Sequence, residues 1–295
     1  MEYQELSQRV EDAFEGMSAQ LKRAARYVLD HPDDVALLSM RQFATQADVH
    51  PSTMMRLVKE LGLDGYAEFQ APHRHRLRTR PEENFSGDAR SIQKRGSSSR
   101  EVLLDDLLDT ERANLLDLQE KVGYSLLIEC ADQIRSARRV FVCGARSSYP
   151  AAFYFHYAYR MFNDNIRLLD GHGDTSADNL RGIGPDDVLL AISVSPYSRM
   201  TQNAVNYASS QGASVIAMTD SPVSPMVKEH KTKAIILSTK SPSLFRSVVP
   251  AMTAVQALLL LLLGEGGEDA IHELSATEAQ LKAFGVYRVN GKVVT

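Results

Sequence analysis

The sequence predicts an all-helical N-terminal domain followed by an α/β domain with a five-stranded parallel sheet. Apolar residues recur at helical spacing in the first eighty residues, and no convincing strand precedes residue 100. After residue 100, short apolar runs alternate with helix-like segments, a pattern that calls for a parallel sheet with helices on both faces. We expect a flavodoxin-like strand order, in which the first and third strands are neighbours and ligands bind beyond their carboxyl ends.

Two short helices joined by a tight turn form the first element that carries chemistry. The first helix contains Phe43, Ala44 and Ala47 and ends at Asp48. The second begins at Pro51, because proline fits the first helical position. A small residue such as Ala44 lets two helices cross closely, as in a helix-turn-helix. Glycine is more usual where Asp48 stands, but aspartate tolerates the left-handed conformation better than most residues.

The second helix has two different faces, and Gly62 follows it as a C-terminal cap. Positions 54, 57, 58 and 61 are apolar, and the opposite face carries Ser52, Met55, Arg56 and Lys59. Such a polar face suits a DNA major groove, with arginine reading guanine and lysine holding a phosphate. The predicted DNA-binding residues are Arg41, His50, Ser52, Thr53, Arg56, Lys59, Arg74 and Arg76.

A simpler alternative is an amphipathic helix whose charged face is only solvated. The basic segment "HRHRLRTR" at 73–80 would then be a solvated helix end, whereas in a DNA-binding protein its four arginines extend the contact with phosphates.

Residues 81–101 form the predicted linker between the domains. The segment is rich in proline, glycine and serine and shows no apolar period, so we expect that it does not order itself. The predicted limits are 1–80 for the helix-turn-helix domain, 102–285 for the α/β domain and 286–295 for a C-terminal tail. A long amphipathic helix from about Val102 to Arg135 leads into the strands, which are the runs "RVFVCG", "IRLLDG", "DVLLAIS", "SVIAMTD" and "AIILST".

Two of these strands end in unusually polar loops. The first runs into "CGARSSYPAA" and the third into "SVSPYSRMT". Both loops feed helices, whose N-terminal N–H groups attract anions, and their hydroxyls add further donors. Serines at strand ends can also simply cap helices and form turns. The predicted ligand-binding residues are Gly144, Arg146, Ser147, Ser148, Ser193, Ser195, Ser198, Arg199 and Thr201.

Composition limits the remaining classes of function. The net charge of −4 argues against a protein that coats nucleic acid by charge alone, although a local basic surface is enough for DNA. Two cysteines, Cys130 and Cys143, cannot make a four-thiolate zinc site, so we expect a reducing cytoplasm, no metal and no cofactor. The acidic first residues do not form a signal peptide, and the run "AVQALLLLLLG" is shorter than the roughly 20 residues of a membrane span. A buried helix at a subunit interface is the better interpretation of that run.

The segment "ATQADVHPSTMMRLVKELGLDGYAEFQ" resembles the helix-turn-helix of the RpiR family of bacterial transcription regulators. His50 replaces the family's usual capping serine, and Glu60 stands where lysine is common. The residues that match the family pattern are Ser52, Thr53, Arg56, Leu61, Gly62, Gly65, Tyr66 and Phe69.

The α/β part is similar to the SIS (sugar isomerase) domain that forms the effector half of these regulators. Gly144, Ser147 and Ser148 match its motif Gly-x-Gly-x-Ser, with Arg146 in place of the second glycine. Ser193, Ser195 and Thr201 match its second motif, although Pro196 replaces a glycine and two extra residues intervene. "MTDSPVSPM" at 218–226 matches the pattern Thr-Asp-Ser-x-x-Ser-Pro.

This resemblance implies a regulator of a bacterial carbohydrate or related catabolic operon. It implies that the protein binds double-stranded operator DNA, and that a small anionic metabolite, a phosphosugar or a sugar acid, modulates this binding. Arg146 and Arg199 would suit a carboxylate or phosphate through bidentate pairing. A reader of two half-sites needs a two-fold axis, so we expect a homodimer or homotetramer.

Two other functions stay open at this stage. SIS domains also occur in aldose–ketose isomerases, for which His156, His172 and Asp174 are the candidate bases. Alternatively, the domain serves only for oligomerisation. We expect a protein that is not an enzyme, because a DNA-reading domain is attached.

Overall fold

The computed structural model describes residues 2–14, 16–79, 85–96, 99–171, 175–227, 232–286, 288–289 and 292–293. The chain divides into two compact units. The first comprises residues 1–98 together with residues 221–224, and the second comprises residues 99–220 and 225–295.

Every regular element among the first unit's described residues before position 97 is a helix. Its helices are α1 (Tyr3–Phe14), α2 (Ala19–Asp30), α3 (Pro32–Leu37), α4 (Met40–Gln46), α5 (Pro51–Glu60), α6 (Tyr66–Thr79) and α7 (Phe85–Gly96). Apolar side chains of α1, α2, α4 and α5 meet in one core, which includes Leu6, Leu21, Phe43 and Leu57. Burial of this core, rather than helix propensity, holds such short helices together.

Helix α7 corrects the prediction that residues 81–101 do not order themselves. Phe85, Ala89 and Ile92 follow a helical spacing that the composition of the segment obscures, and Lys94 and Arg95 in the last turn favour the negative end of a helix. The linker is therefore helical over 85–96, and the domain limits themselves stay a prediction.

The second unit is an α/β domain. Its strands are β1 (Arg139–Gly144), β2 (Ile166–Leu169), β3 (Asp187–Ile192), β4 (Ser214–Thr219) and β5 (Thr232–Ile236). Its helices are α8 (Arg100–Asp117), α9 (Gly123–Arg135), α10 (Tyr149–Tyr159), α11 (Ser176–Asn179), α12 (Arg199–Ser210), α13 (Val249–Gly264) and α14 (Gly267–Ala283). All four strand pairings are parallel, and the order is β2-β1-β3-β4-β5. The predicted five-stranded parallel sheet with flavodoxin-like order is confirmed.

Alternate residues along the strands face opposite sides of this sheet. Val142, Leu190 and Ile216 contribute to the core formed with α9, α10 and α13. Phe141, Leu189 and Val215 contribute to a second core on the other face, where α12 packs. Because both faces are covered, the strands are almost continuously buried, as parallel strands usually are.

Three segments of this unit differ from the sequence expectation. The predicted helix from Val102 to Arg135 is interrupted by a π-helical turn at Leu118–Val122, after which Gly123 takes a positive φ of 71°. In the predicted tail, β6 (Arg288–Val289) and β7 (Lys292–Val293) pair antiparallel. Helix α13 buries one side against the sheet but leaves Leu260 73% exposed.

Among the described residues, no single helix is long and apolar enough to cross a bilayer. Helices α13 and α14 reach the required length and composition only when they are taken together, and the chain bends by 110° between them.

Candidate functional sites

The turn between α4 and α5 takes the helix-turn-helix conformation. Asp48 has a φ of 53°, in the left-handed region expected for this position from the sequence. Its carboxylate accepts a hydrogen bond of 2.8 Å from the Arg23 guanidinium of α2. The Val49 N–H donates to the Ala44 carbonyl at 3.0 Å and closes the turn. Asp48 therefore takes the position that is usually glycine, and its hydrogen bond with Arg23 stabilises the turn.

Helix α5 presents one buried and one exposed face. Met54, Leu57 and Val58 are fully buried against the first unit's core. His50 caps the helix in place of the family's serine, since its Nδ1 accepts the Ser52 N–H at 3.3 Å. The predicted DNA contacts are distributed as follows: Arg41, His50, Ser52, Arg56 and Lys59 are exposed, and Thr53 is half-buried.

The basic end of α6 is less free than its sequence suggests. The Arg74 Nε donates to the Ala36 carbonyl at 3.1 Å, and the Arg76 guanidinium lies 4.7 Å from the centre of the Tyr3 ring. His73 is buried, with its Nδ1 3.0 Å from the Phe69 carbonyl. Burial lowers the pKa of His73 to about 4, the Phe69 hydrogen bond opposes this, and nearby Arg76 lowers it slightly more. The side chain of Arg78 and all of Arg80 lie outside the described residues.

The loop after β1 depends on a glycine at its start. A Cβ on Gly144 would lie 2.7 Å from the Ser148 carbonyl oxygen and 3.0 Å from the Ala152 Cβ. No other residue fits without moving the backbone. This close approach brings the short 3-10 turn Arg146–Ser148 against the end of β1, and it buries Ser148 while Arg146 and Ser147 stay exposed.

Arg146 occupies a position that favours glycine. Its φ is 56°, in the left-handed region, which costs a residue with a side chain about 1–2 kcal/mol. This conformation explains why the family pattern has glycine here, and strain at such a position often accompanies function.

The loop after β3 is held by its own serines. Ser193 is buried, and its hydroxyl accepts the Ser198 N–H at 3.2 Å. Ser198 caps α12 by accepting the Thr201 N–H at 3.5 Å. Thr201 is 0% exposed, and its hydroxyl finds no hydrogen-bond partner within the described part of the chain. Arg199 begins α12 and is exposed.

Asp220 is a member of this site that was not predicted from the sequence. It follows β4, and its Oδ2 accepts the Ser195 N–H at 3.1 Å. Its segment was recognised only as a family motif, because periodicity cannot show a contact between residues 25 positions apart. The Asp220 carboxylate thus occupies one of the backbone donors of the loop after β3.

The sheet brings the two polar loops to adjacent strand ends. Gly144 and Ile192 are register partners in the β1–β3 pairing, so the loops that follow them start side by side at the point where the strand order reverses. One loop leads into α10 and the other into α12, and each helix directs N–H groups toward this edge. The arrangement suits an anionic ligand that also offers hydroxyl groups.

Of the three candidate bases of an isomerase, the structure describes only His156, and it lies away from the two loops. His156 is the eighth residue of α10, about 10 Å along the helix from its N-terminus at 1.5 Å per residue. It lies in a cavity of about 320 Å³ at the outer edge of β2, with Arg160 and Arg167. Burial lowers the pKa of His156 and the adjacent Arg160 adds to this, whereas Asp170 opposes it. His172 and Asp174 lie outside the described residues.

Comparisons with known proteins give separate matches for the N-terminal and the C-terminal part of the chain. Residues 4–77 match the model of the helix-turn-helix domain of the rpiR family, and residues 133–261 match the SIS domain. The chain is 26% identical to the uncharacterized HTH-type transcriptional regulator YfhH of Escherichia coli, over 72% of this chain and 74% of that protein. It is 24% identical to an uncharacterized HTH-type transcriptional regulator of Haemophilus influenzae, over 87% and 88% of the two chains.

A solved structure shows the same fold for the second unit. The sugar isomerase domain of an RpiR transcription factor from Sphaerobacter thermophilus superposes with a TM-score of 0.55 at 22% identity, over 60% of this chain and 98% of that one. The two family models together cover more than half of the sequence, and they fall on the helix-turn-helix and on the parallel sheet. The chain therefore belongs to the rpiR family of helix-turn-helix proteins that carry a C-terminal SIS domain.

Proposed function

We propose that this protein is a DNA-binding transcription regulator whose affinity for its operator is set by a small anionic sugar derivative. The observation that carries the proposal is the meeting of two polar loops at the neighbouring carboxyl ends of β1 and β3, in a chain whose first unit is a helix-turn-helix. Relatives named as HTH-type transcriptional regulators over most of their length support the DNA-binding half. We assign the protein to the cytoplasm, where its DNA is.

In the DNA-binding half, the exposed face of α5 enters a major groove. Ser52 and Thr53 lie at its N-terminus, and Arg56 one turn further on carries the fork that matches the guanine edge. Lys59 and Arg41 supply charge for phosphates. Arg74 and Arg76 contact neighbouring helices through Ala36 and Tyr3. They contact DNA phosphates through the guanidinium N–H groups that these contacts do not use.

In the effector half, the ligand is a phosphosugar or a sugar acid. Arg146 and Arg199 provide guanidinium charge, and the buried Thr201 hydroxyl is a polar group without a partner in the described residues. Ser147, Ser148 and Ser195 supply hydroxyls for a polyol. The Asp220 carboxylate accepts the Ser195 N–H, so an anion that binds this N–H must displace the carboxylate.

The proposal is tested with the full chain, and the operator is identified first. DNA sequences are selected from a random pool, and melting temperature is then measured with hexose 6-phosphates, N-acetylhexosamine 6-phosphates, sugar acids and inorganic phosphate. A compound at about one hundred times its Kd should stabilise the folded protein by about 2.7 kcal/mol. The same compound should change operator affinity. A protein that selects no DNA sequence would contradict the first half, and one that no compound stabilises would contradict the second.

Catalysis is the alternative for the SIS domain. An isomerase needs a base beside the substrate carbon. Of the three candidates the structure describes only His156, which is displaced from the two loops, and the chain carries a DNA-reading domain for which an isomerase has no use. We therefore propose that the protein is not an enzyme. Turnover of a phosphosugar by the purified protein, lost in an Asp220→Asn variant, would reverse this assignment.

We further propose that the second unit forms the two-fold interface of a dimer, alone or within a tetramer. Helix α13 packs between α8, α9 and α10, and these helices leave many large apolar side chains exposed. Tyr149, Phe153 and Tyr157 form a row of rings on α10, with centroids 6.0 and 6.3 Å apart, and Leu260 is exposed on α13. A face of this kind is typical of a subunit interface.

A further inference from the structure

Helix α8 is the element by which the chain enters the second unit. It begins at Arg100, directly after the residues that belong to the first unit. Residues 221–224, which follow Asp220, also belong to the first unit, so α8 is one of two routes along the chain from the effector loops to the DNA-binding helices. Its fastening to the rest of the domain is polar, whereas most core helices of this unit are fastened by apolar packing.

Three side chains of α8, spaced three residues apart, bind the loop that joins β5 to α13. Asn114 is 0% exposed. Its Nδ2 donates to the Lys240 carbonyl at 2.8 Å, and its Oδ1 accepts the Ser238 hydroxyl at 2.9 Å. Glu111 accepts the Ser247 hydroxyl at 2.7 Å. We call Glu111, Asn114 and Asp117 the α8 clasp.

Asp117 joins the clasp from the next turn. Its hydrogen bond with Lys121 lowers the pKa of the carboxyl, burial opposes this, and the Ser238 hydroxyl and the charge of Lys240 lower the pKa further. The loop itself is closed by the Ser247 N–H, which donates to the Thr239 carbonyl at 3.1 Å. The α8 clasp therefore contacts this loop near its start, at Ser238 and Lys240, and near its end, at Ser247.

Continuous contacts connect this loop with the effector site. Ser195 donates its N–H to Asp220, and Asp220 follows Thr219 at the end of β4. The Thr219 carbonyl accepts the Leu237 N–H at 2.7 Å, and the next residue is Ser238, which binds Asn114. Few bonds separate the Ser195 backbone from the middle of α8.

We propose that the α8 clasp transmits the state of the effector loop to the DNA-binding unit. An anion that takes the Ser195 N–H displaces the Asp220 carboxylate. The end of β4 and the loop between β5 and α13 then shift, and α8 changes its position on this loop. This inference rests on the proposed function. A polar clasp suits such a role, because a fully satisfied buried network holds one arrangement and loses several hydrogen bonds at once when it is misaligned.

The path is tested without an effector, by a substitution that frees the Ser195 N–H. In full-length Asp220→Ala, hydrogen exchange of the α8 amides at 108–117 should quicken at least about fivefold, the lower end of usual coupling between sites, while exchange in α14 stays unchanged. Affinity for the selected operator should also change. In the Asn114→Leu background, Asp220→Ala should no longer change operator affinity. The double-mutant cycle for operator affinity should therefore be strongly non-additive.

Matched variants keep the test decisive. Asn206→Leu makes the same substitution at an exposed position of α12 and should leave the cycle additive. If Asn114→Leu does not fold, Ser238→Ala removes a single hydroxyl from the clasp and takes its place. Unchanged α8 exchange in Asp220→Ala, or additive operator affinities, would overturn the proposal. A protein that selects no DNA would instead refute the proposed function, while the exchange experiment would still decide whether the path exists.

Discussion

Arg146 combines an unfavourable backbone conformation with a charge in the loop that we assign to the effector site. Its φ of 56° favours glycine, so an arginine at this position carries a local cost. Arg146→Gly should leave the free energy of unfolding unchanged or raise it by up to about 1 kcal/mol, because glycine relieves the strain but adds entropy to the unfolded chain.

The same substitution should weaken binding of the stabilising anion at least about tenfold, since a hydrogen bond to a charged group contributes about 1.5–3 kcal/mol. Arg199→Gln is the control, because Arg199 lies in a regular helix. This substitution should weaken binding of the anion without raising the free energy of unfolding. Isothermal titration and urea unfolding measure the two effects. Equal anion affinity in Arg146→Gly and the unchanged protein would remove Arg146 from the site.

His73 makes the first unit sensitive to pH. Burial lowers its pKa to about 4, whereas in an unfolded chain histidine titrates near 6.5. The unfolded chain therefore binds the proton first, so the contribution of His73 is complete above about pH 6.5 and declines as the pH falls toward 4. Between pH 7 and pH 5 the loss should be about 2 kcal/mol.

Hydrogen exchange of the buried α2 amides measures this loss within the full chain. The drop in local stability from pH 7 to pH 5 should be about 2 kcal/mol smaller in His73→Leu than in the unchanged protein. His75→Leu is the matched control, since His75 is exposed on the same helix. Equal drops in His73→Leu and the unchanged protein would show that His73 is already charged, or not buried, in solution.

At the scale of elements, α5 carries the specificity that we assign to the protein. Arg56→Ala should lower operator affinity and relax the preferred base at one position, at a cost of about 1–3 kcal/mol. Lys59→Ala should weaken all sequences alike and reduce the salt slope by about one. Lys59 is a better phosphate test than Arg76, because Arg76→Ala also removes the contact with Tyr3. Footprints and base preferences that are unchanged in Arg56→Ala would show that α5 does not read the bases.

The elements that the sequence predicted are those with strong local signals. Alternation of apolar runs with helical segments predicted five strands, and their parallel order followed from the connections between them. The tight turn after Ala47 was predicted from Pro51 and the apolar spacing of α5. By contrast, α7 was missed because only three apolar residues mark it, and the break at Gly123 interrupts a pattern that stays helical on both sides.

The parts of the candidate site that were not predicted depend on contacts distant in sequence. Gly144, Ser148 and Ser193 were predicted because motifs mark them at strand ends. Asp220 reaches Ser195 from another strand, and Asn114 reaches a loop more than a hundred residues away. Arg74 and Arg76 also have partners in α3 and α1 that the sequence does not show. Such pairings are fixed by the tertiary structure, and no periodicity encodes them.

At the scale of the whole molecule, the exposed apolar face around α13 predicts assembly. Light scattering of the full chain at micromolar concentration should give at least twice the monomer mass of 32.7 kDa. Phe153→Ser combined with Leu260→Ser should shift it toward the monomer, because both substitutions place a hydroxyl in the proposed interface. Tyr207→Ser, on the opposite face of the sheet in α12, should leave the mass unchanged. An unchanged protein that is monomeric at this concentration would contradict the proposal.

Linkage between the effector and the operator tests the central claim most directly. An effector that changes operator affinity by some factor must have its own affinity changed by operator DNA by the same factor. The measurement is titration of the stabilising sugar derivative into the full chain with and without saturating operator. The two Kd values should differ by the factor seen in operator binding, and the difference should vanish in Ser148→Ala/Ser195→Ala, which should still bind DNA. Equal Kd values in both titrations, for a compound that plainly alters operator binding, would contradict the model.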